Sequence, residues 1–121
     1  MTTQLPQVKW AIATVSLGKH PSHTLERKLA AASEHGFQGI ELVHADLMSH
    51  AQKNNLTPIQ SAAKIKELCQ SSGLEVLSLN PLKNFEGNLD LSLQQRLDNA
   101  KKWIELAIAA GSKTVQVLPS F

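Results

Sequence analysis

Tyrosine is absent from this chain of 121 residues, cysteine occurs once, and aromatic residues make up only 4%. So few rings argue against an aromatic platform for stacking nucleic-acid bases. A single cysteine, Cys69, excludes an internal disulfide and a multi-cysteine zinc site. It falls in an apolar helical stripe, so a buried, reduced thiol is expected. Concentrated charge of one sign is also missing. Twelve Lys and Arg stand against ten Asp and Glu, spread along the chain for a net +2. With no basic block or stripe, neither nucleic acid nor an acidic membrane surface is an expected partner. Residues 1–7 have no basic region followed by an apolar segment, so no signal peptide is expected. The apolar run ending at Ala110 is far too short to span a bilayer. The expectation is a cytoplasmic protein without membrane contact.

What the chain does have is repetition. Gly36, Gly73 and Gly111 are 37 and 38 residues apart. Each follows an amphipathic stretch and precedes a short run rich in apolar residues. The runs are Gly39 to Val43, Leu74 to Leu79 and Thr114 to Leu118. A period of this length, with one helix and one strand in each unit, is the signature of a repeated supersecondary element.

Taken in order, Val8 to Val15 reads as a first strand. A helix then runs from Pro21 or Ser22 to about His35, with Leu25, Leu29 and Ala32 on one face. Gly36 is its C-cap. Ala45 to Leu56 reads as a loop with at most a helical turn. Thr57, Pro58 and Gln60 form a capping box that opens the second helix, whose stripe is Ala62, Ile65 and Cys69. Asn80 to Asn88 is rich in turn formers and reads as a loop. The third helix begins near Asp90 or Ser92, with the stripe Leu93, Leu97, Ala100, Ile104, Ala107 and Ile108. One domain over residues 1–121 with the order β-α-β-α-β-α-β is expected, which is an α/β parallel sheet with right-handed crossovers.

The fifth residue after each repeat glycine is polar: Glu41, Ser78 and Gln116. Its strand neighbours are apolar: Ile40 and Leu42, Leu77 and Leu79, Val115 and Val117. Side chains alternate across a strand, so one sheet face is apolar and the other carries a polar row. A small open flavodoxin-like sheet needs helices on both faces and is apolar on both. A (β/α)8 TIM barrel has helices only outside and admits polar groups inside near its mouth. The polar row favours the barrel, of which four strands are the first half.

The stretches Ser16-Leu17-Gly18, Gln38-Gly39-Ile40-Glu41-Leu42, Asn80-Pro81-Leu82 with Phe85-Glu86-Gly87, and Val115-Gln116-Val117 with Pro119-Ser120-Phe121 carry a resemblance. The chain resembles the xylose-isomerase-like TIM barrels of the sugar phosphate isomerase/epimerase superfamily. Within it the chain is most similar to fungal 3-dehydroshikimate dehydratases of quinate catabolism. The sequence departs from that pattern at Val43, His44 and Ala45, and by one residue between Pro119 and Phe121. The resemblance implies a lyase that converts 3-dehydroshikimate to protocatechuate with a divalent metal cation. It places the metal ligands and the catalytic histidine on strands five to eight, which this chain does not contain. No catalytic residue and no metal ligand is therefore assigned here, and the chain alone is expected to be inactive. A sugar isomerase or epimerase of the same superfamily is the alternative. A non-catalytic half-barrel that associates with another chain is the third reading, since its edge strands invite self-association.

Six residues are candidates for contact with a small polyol or keto-acid substrate. Glu41 offers an inward carboxylate, and Asn80, Gln116 and Ser120 offer hydrogen bonds at or near strand ends. Lys83, like Lys19, offers a cation to a substrate carboxylate on a mouth loop. His23 lies on the loop after the first strand. His20, His44, Asp46 and His50 have no zinc-motif spacing and read as solvated loop residues.

Overall fold

A computed structural model describes residues 8–119. Four strands form one parallel sheet in the order β1 (Ala11–Ala13), β2 (Gly39–Val43), β3 (Glu75–Leu82), β4 (Val115–Val117). The helices are α1 (Leu25–Glu34), α2 (His44–Lys53), α3 (Pro58–Ser71) and α4 (Leu93–Ala109). Every strand pairs with its neighbour in sequence, as in a barrel wall, whereas a doubly wound sheet reverses its order at a switch point.

The helices start where their caps dictate. Thr24 Oγ1 accepts the Arg27 N–H at 3.4 Å, so α1 begins at Leu25; residues 21–23 form a turn instead of the expected first helical residues. Thr57 with Gln60, and Ser92 with Gln95, make complete capping boxes on α3 and α4. Gly36, Gly73 and Gly111 have φ of +85°, +70° and +83°, the left-handed geometry that ends a helix at little cost in glycine.

One cluster forms the core. Leu25, Leu29 and Ala32 of α1, Leu47 of α2, Ala62, Ile65 and Cys69 of α3, and Leu106 and Ala107 of α4 meet Ile40, Leu42, Val76 and Leu79 of the sheet. All four helices thus join a core on one side of the sheet, while Glu41 on the other side is exposed. Burial pushes the Cys69 thiol up to about 11, which leaves it inert as a nucleophile.

Four expectations are corrected. The first strand is only three residues long, because Thr14–Leu17 winds into a 3-10 turn instead of continuing to Val15. The expected loop after β2 is the ten-residue helix α2, seated by Leu47, His50 and Ala51. β3 runs on through Asn80, Pro81 and Leu82, which read as a loop; its pairing with β4 is irregular between Leu79 and Leu82, so Pro81 need not donate to that ladder. The α4 stripe is mostly uncovered: Leu93, Leu97, Ile104 and Ile108 are 45–66% exposed, and burial falls to Leu106 and Ala107.

A further departure lies in the register. Between β2 and β3 the pairing steps from Ile40–Val76 to Glu41–Ser78, which skips Leu77. Leu77 therefore does not share the buried face with Leu79. Leu77 is 41% exposed and Leu79 is 0% exposed. Gly39 accommodates Leu77, because a Cβ there would lie 3.4 Å from Leu77 Cγ and 3.2 Å from the Glu75 carbonyl.

Candidate functional site

The parallel sheet brings the C-terminal ends of all four strands to one end of the molecule. On its uncovered face, the β2–β3 register sets Glu41 beside Ser78 and Val43 beside Asn80. Ser78 Oγ donates to Asn80 Oδ1 at 2.6 Å, and Asn80 Nδ2 donates to Glu41 Oε2 at 3.2 Å. Accepting from Ser78 turns the Asn80 amide so that its NH2 faces Glu41. Asn80 is buried while Glu41 is exposed, so the relay presents a carboxylate on a fixed base. Such a group accepts hydrogen bonds from hydroxyls of a ligand laid on this face.

The other candidates are dispersed around this centre. Gln116 is exposed on β4, one strand farther along the sheet. Lys83 is exposed directly after β3 and lines a cavity of about 330 Å³ with Val43, His44, Pro81 and Trp103. His23 is exposed in the β1–α1 link, where its ring packs over Gly18. Ser120 lies outside the described residues. The structure therefore joins Glu41 and Asn80 directly and leaves Lys83, Gln116 and His23 as separate groups around the mouth.

His44, Asp46 and His50 are helical residues of α2, not solvated loop residues. His44 stacks on Trp103 with ring centroids 4.0 Å apart and planes 16° from parallel. Burial lowers its pKa from the usual 6.5. The folded state therefore holds the neutral ring, while the unfolded chain takes up a proton near that ordinary value. Stability from this group is present above about pH 6.5 and lost as pH falls below it. His44→Phe keeps a ring against Trp103 and removes the titration. Urea midpoints at pH 7.5 and 5.5 are expected to differ less in that variant than in the parent chain, and equal pH sensitivity would contradict the assignment.

His50 is buried between α1 and α3. Its Nδ1 lies 2.7 Å from Ser61 Oγ and its Nε2 lies 2.9 Å from Glu26 Oε1. The Ser–His–Glu order invites comparison with a hydrolase triad. Ser61 is fully buried and its hydroxyl also bonds the Leu47 carbonyl at 3.2 Å, so no substrate reaches it. The set is a strut that ties three helices together.

One pair escaped sequence reasoning. Lys28, buried on the α1 stripe, donates from Nζ to Asp46 Oδ1 at 3.0 Å. The signal was a lysine one residue before Leu29 in an apolar stripe, since a buried charge requires a partner. Among the described residues, no group of three or more His, Cys, Asp or Glu stands close enough to hold a metal ion. No helix among them is long and apolar enough to cross a membrane.

Comparison with known proteins bears on this arrangement. Residues 29–121 match the family described as xylose isomerase-like TIM barrel. A 3-dehydroshikimate dehydratase of Neurospora crassa is 34% identical over an alignment of 126 residues, covering 93% of this chain and 35% of the relative. A 3-dehydroshikimate dehydratase of Pseudomonas putida is 33% identical over 107 residues, covering 88% of this chain and 15% of the relative. A solved xylose isomerase-like TIM barrel/4-hydroxyphenylpyruvate dioxygenase fusion protein superposes with a TM-score of 0.76 at 31% identity, over 91% of this chain and 16% of that one. The chain thus spans about a third or less of these proteins' lengths.

Proposed function

Because the chain belongs to the xylose isomerase-like TIM barrel family, we propose that it forms the first four strands and a substrate-lining wall of a 3-dehydroshikimate dehydratase-like lyase. The observation that carries this reading is the Ser78–Asn80–Glu41 relay on the uncovered face of a parallel sheet. The names of the relatives supply the substrate. In the dehydration of 3-dehydroshikimate to protocatechuate, a proton leaves the carbon next to the ketone and a hydroxyl departs as water. Glu41 and Asn80 hold substrate hydroxyls against the wall, and Gln116 extends the row. Lys83 and His23 meet polar groups from the rim, and Ser120 follows β4. These residues bind and orient; none is assigned the proton transfer. Among the described residues no cluster of side chains fits a divalent metal site. The open edges of β1 and β4 are where the remaining strands join, from the same or another polypeptide.

The test is to fuse this chain to the segment of the Neurospora crassa relative that follows the matched region. The fusion is expected to form protocatechuate, and the 121-residue chain alone is expected to form none. Glu41→Ala in the fusion is expected to raise KM about tenfold, the loss of one hydrogen bond to a charged acceptor. Turnover by the chain alone would refute the half-site assignment. A folded fusion that epimerises a sugar and ignores 3-dehydroshikimate would favour an isomerase or epimerase of the same fold.

A further inference from the structure

A cleft in the helix layer has no part in the proposed wall. It lies between α2, the start of α3 and the middle of α4, and no strand residue lines it. Its volume is about 340 Å³, within the range of small-molecule pockets. None of Glu41, Asn80, Lys83 or Gln116 borders it.

Its walls are apolar and partly open. Leu106 is buried, whereas Met48 and Ile59 are 40% and 46% exposed. A ligand seated here removes that apolar surface from water, which favours binding. Methionine adapts to the outline of what it meets and makes favourable contacts with aromatic rings. His44 and Trp103, stacked 4.0 Å apart and 16° from parallel, supply a flat aromatic wall.

The cleft has no buried charge to offer. Burial favours the uncharged imidazole of His44. Lys102 and Glu105 are the charged groups that line it, one of each sign. Both are exposed, and neither makes an ion pair among the described residues, so both stay hydrated. A charged ligand would give up water here and gain no buried counter-charge in return.

We infer that this cleft binds a small uncharged aromatic molecule, its ring between the His44–Trp103 wall and the side chains of Met48 and Ile59. The three helices that form the site are all present in this chain, so it needs no further strand. It stands whether or not the Glu41 wall serves a lyase.

The full chain is titrated at about pH 7.5 with benzyl alcohol, benzoate, benzylammonium and cyclohexylmethanol, probes of nearly equal size. The Met48 methyl and the Trp103 indole N–H are followed by NMR, with the Glu41 and Ile108 amides as controls. Benzyl alcohol is expected to saturate the Met48 and Trp103 signals with a Kd on the order of 1 mM, in keeping with so small a ligand. Benzoate and benzylammonium are expected to bind about tenfold more weakly. Cyclohexylmethanol is expected to bind about threefold more weakly, for want of the aromatic contact. Ile59→Asp sets a charge beside the cleft in the first turn of α3, where an acidic residue suits the helix, and is expected to weaken benzyl alcohol about tenfold. Ile108→Asp alters an exposed apolar residue outside the cleft and is expected to change nothing. Both positions are exposed, and far-UV circular dichroism checks that both variants fold. Equal losses in the two variants would mean unspecific adhesion to apolar surface and overturn the proposal. Charged probes that match benzyl alcohol overturn it, as do shifts that stay linear to about 20 mM or fall on Glu41 alone.

Discussion

Lys28→Met is expected to cost the folded chain about 3 kcal/mol, read as a fall in the urea midpoint of about 2 M. The substitution keeps a four-atom apolar stem and its contacts. What it removes is the cation 3.0 Å from Asp46 Oδ1. The aspartate then keeps neither its cation nor a donor on Oδ2. Breaking a buried pair from one side costs about 3–5 kcal/mol. The low end applies because the Asp46 side chain retains 21% exposure against 5% for Lys28. Pairing Lys28→Met with Asp46→Leu is expected to recover most of the loss, since the charge left behind is then gone. A midpoint that stays put in the single variant would show that the pair contributes nothing.

Leu79→Ala is expected to destabilise by about 3 kcal/mol and Leu77→Ala by less than about 1 kcal/mol, measured by the same unfolding assay. Strict alternation puts these two residues on one face and predicts similar costs. The register shift at Ile40/Glu41 separates them, burying Leu79 fully while Leu77 stays open beside Gly39. Leu79→Ala leaves a cavity against Leu42, its partner in the ladder, whereas Leu77→Ala trims a side chain already in contact with water. Equal losses would remove the bulge from the description of β3.

The units were legible where local chemistry alone decides. The repeat glycines, the Thr57 start and the stripes of α1 and α3 needed nothing beyond neighbouring residues. α2 was hidden because Val43 precedes it without a capping side chain, and its buried face is only Leu47, His50 and Ala51. The end of β3 was hidden because Asn80 and Pro81 are turn formers; parallel pairing on both flanks overrode that preference. The α4 stripe was visible, yet its covering could not be inferred, since burial depends on what packs against it. Of the site, Glu41 and Asn80 could be named from position. Their junction through Ser78 could not, because the bulge decides which β3 side chains face Glu41. The buried acceptor on Asp46 depends on a contact between α1 and α2 that spacing does not encode.

The sequential strand order has a consequence for synthesis. A sheet ordered β1-β2-β3-β4 grows only at its newest edge. Each strand finds its partner already made, one helical crossover behind it on the ribosome. At about 5–20 residues per second, each of these repeat units emerges over a few seconds, far slower than helix formation or loop closure. Assembly of these four strands can thus keep pace with translation. The exposed side of α4 and the free side of β4 are then the last-made surfaces of this sheet, the ones left uncovered once β4 has paired.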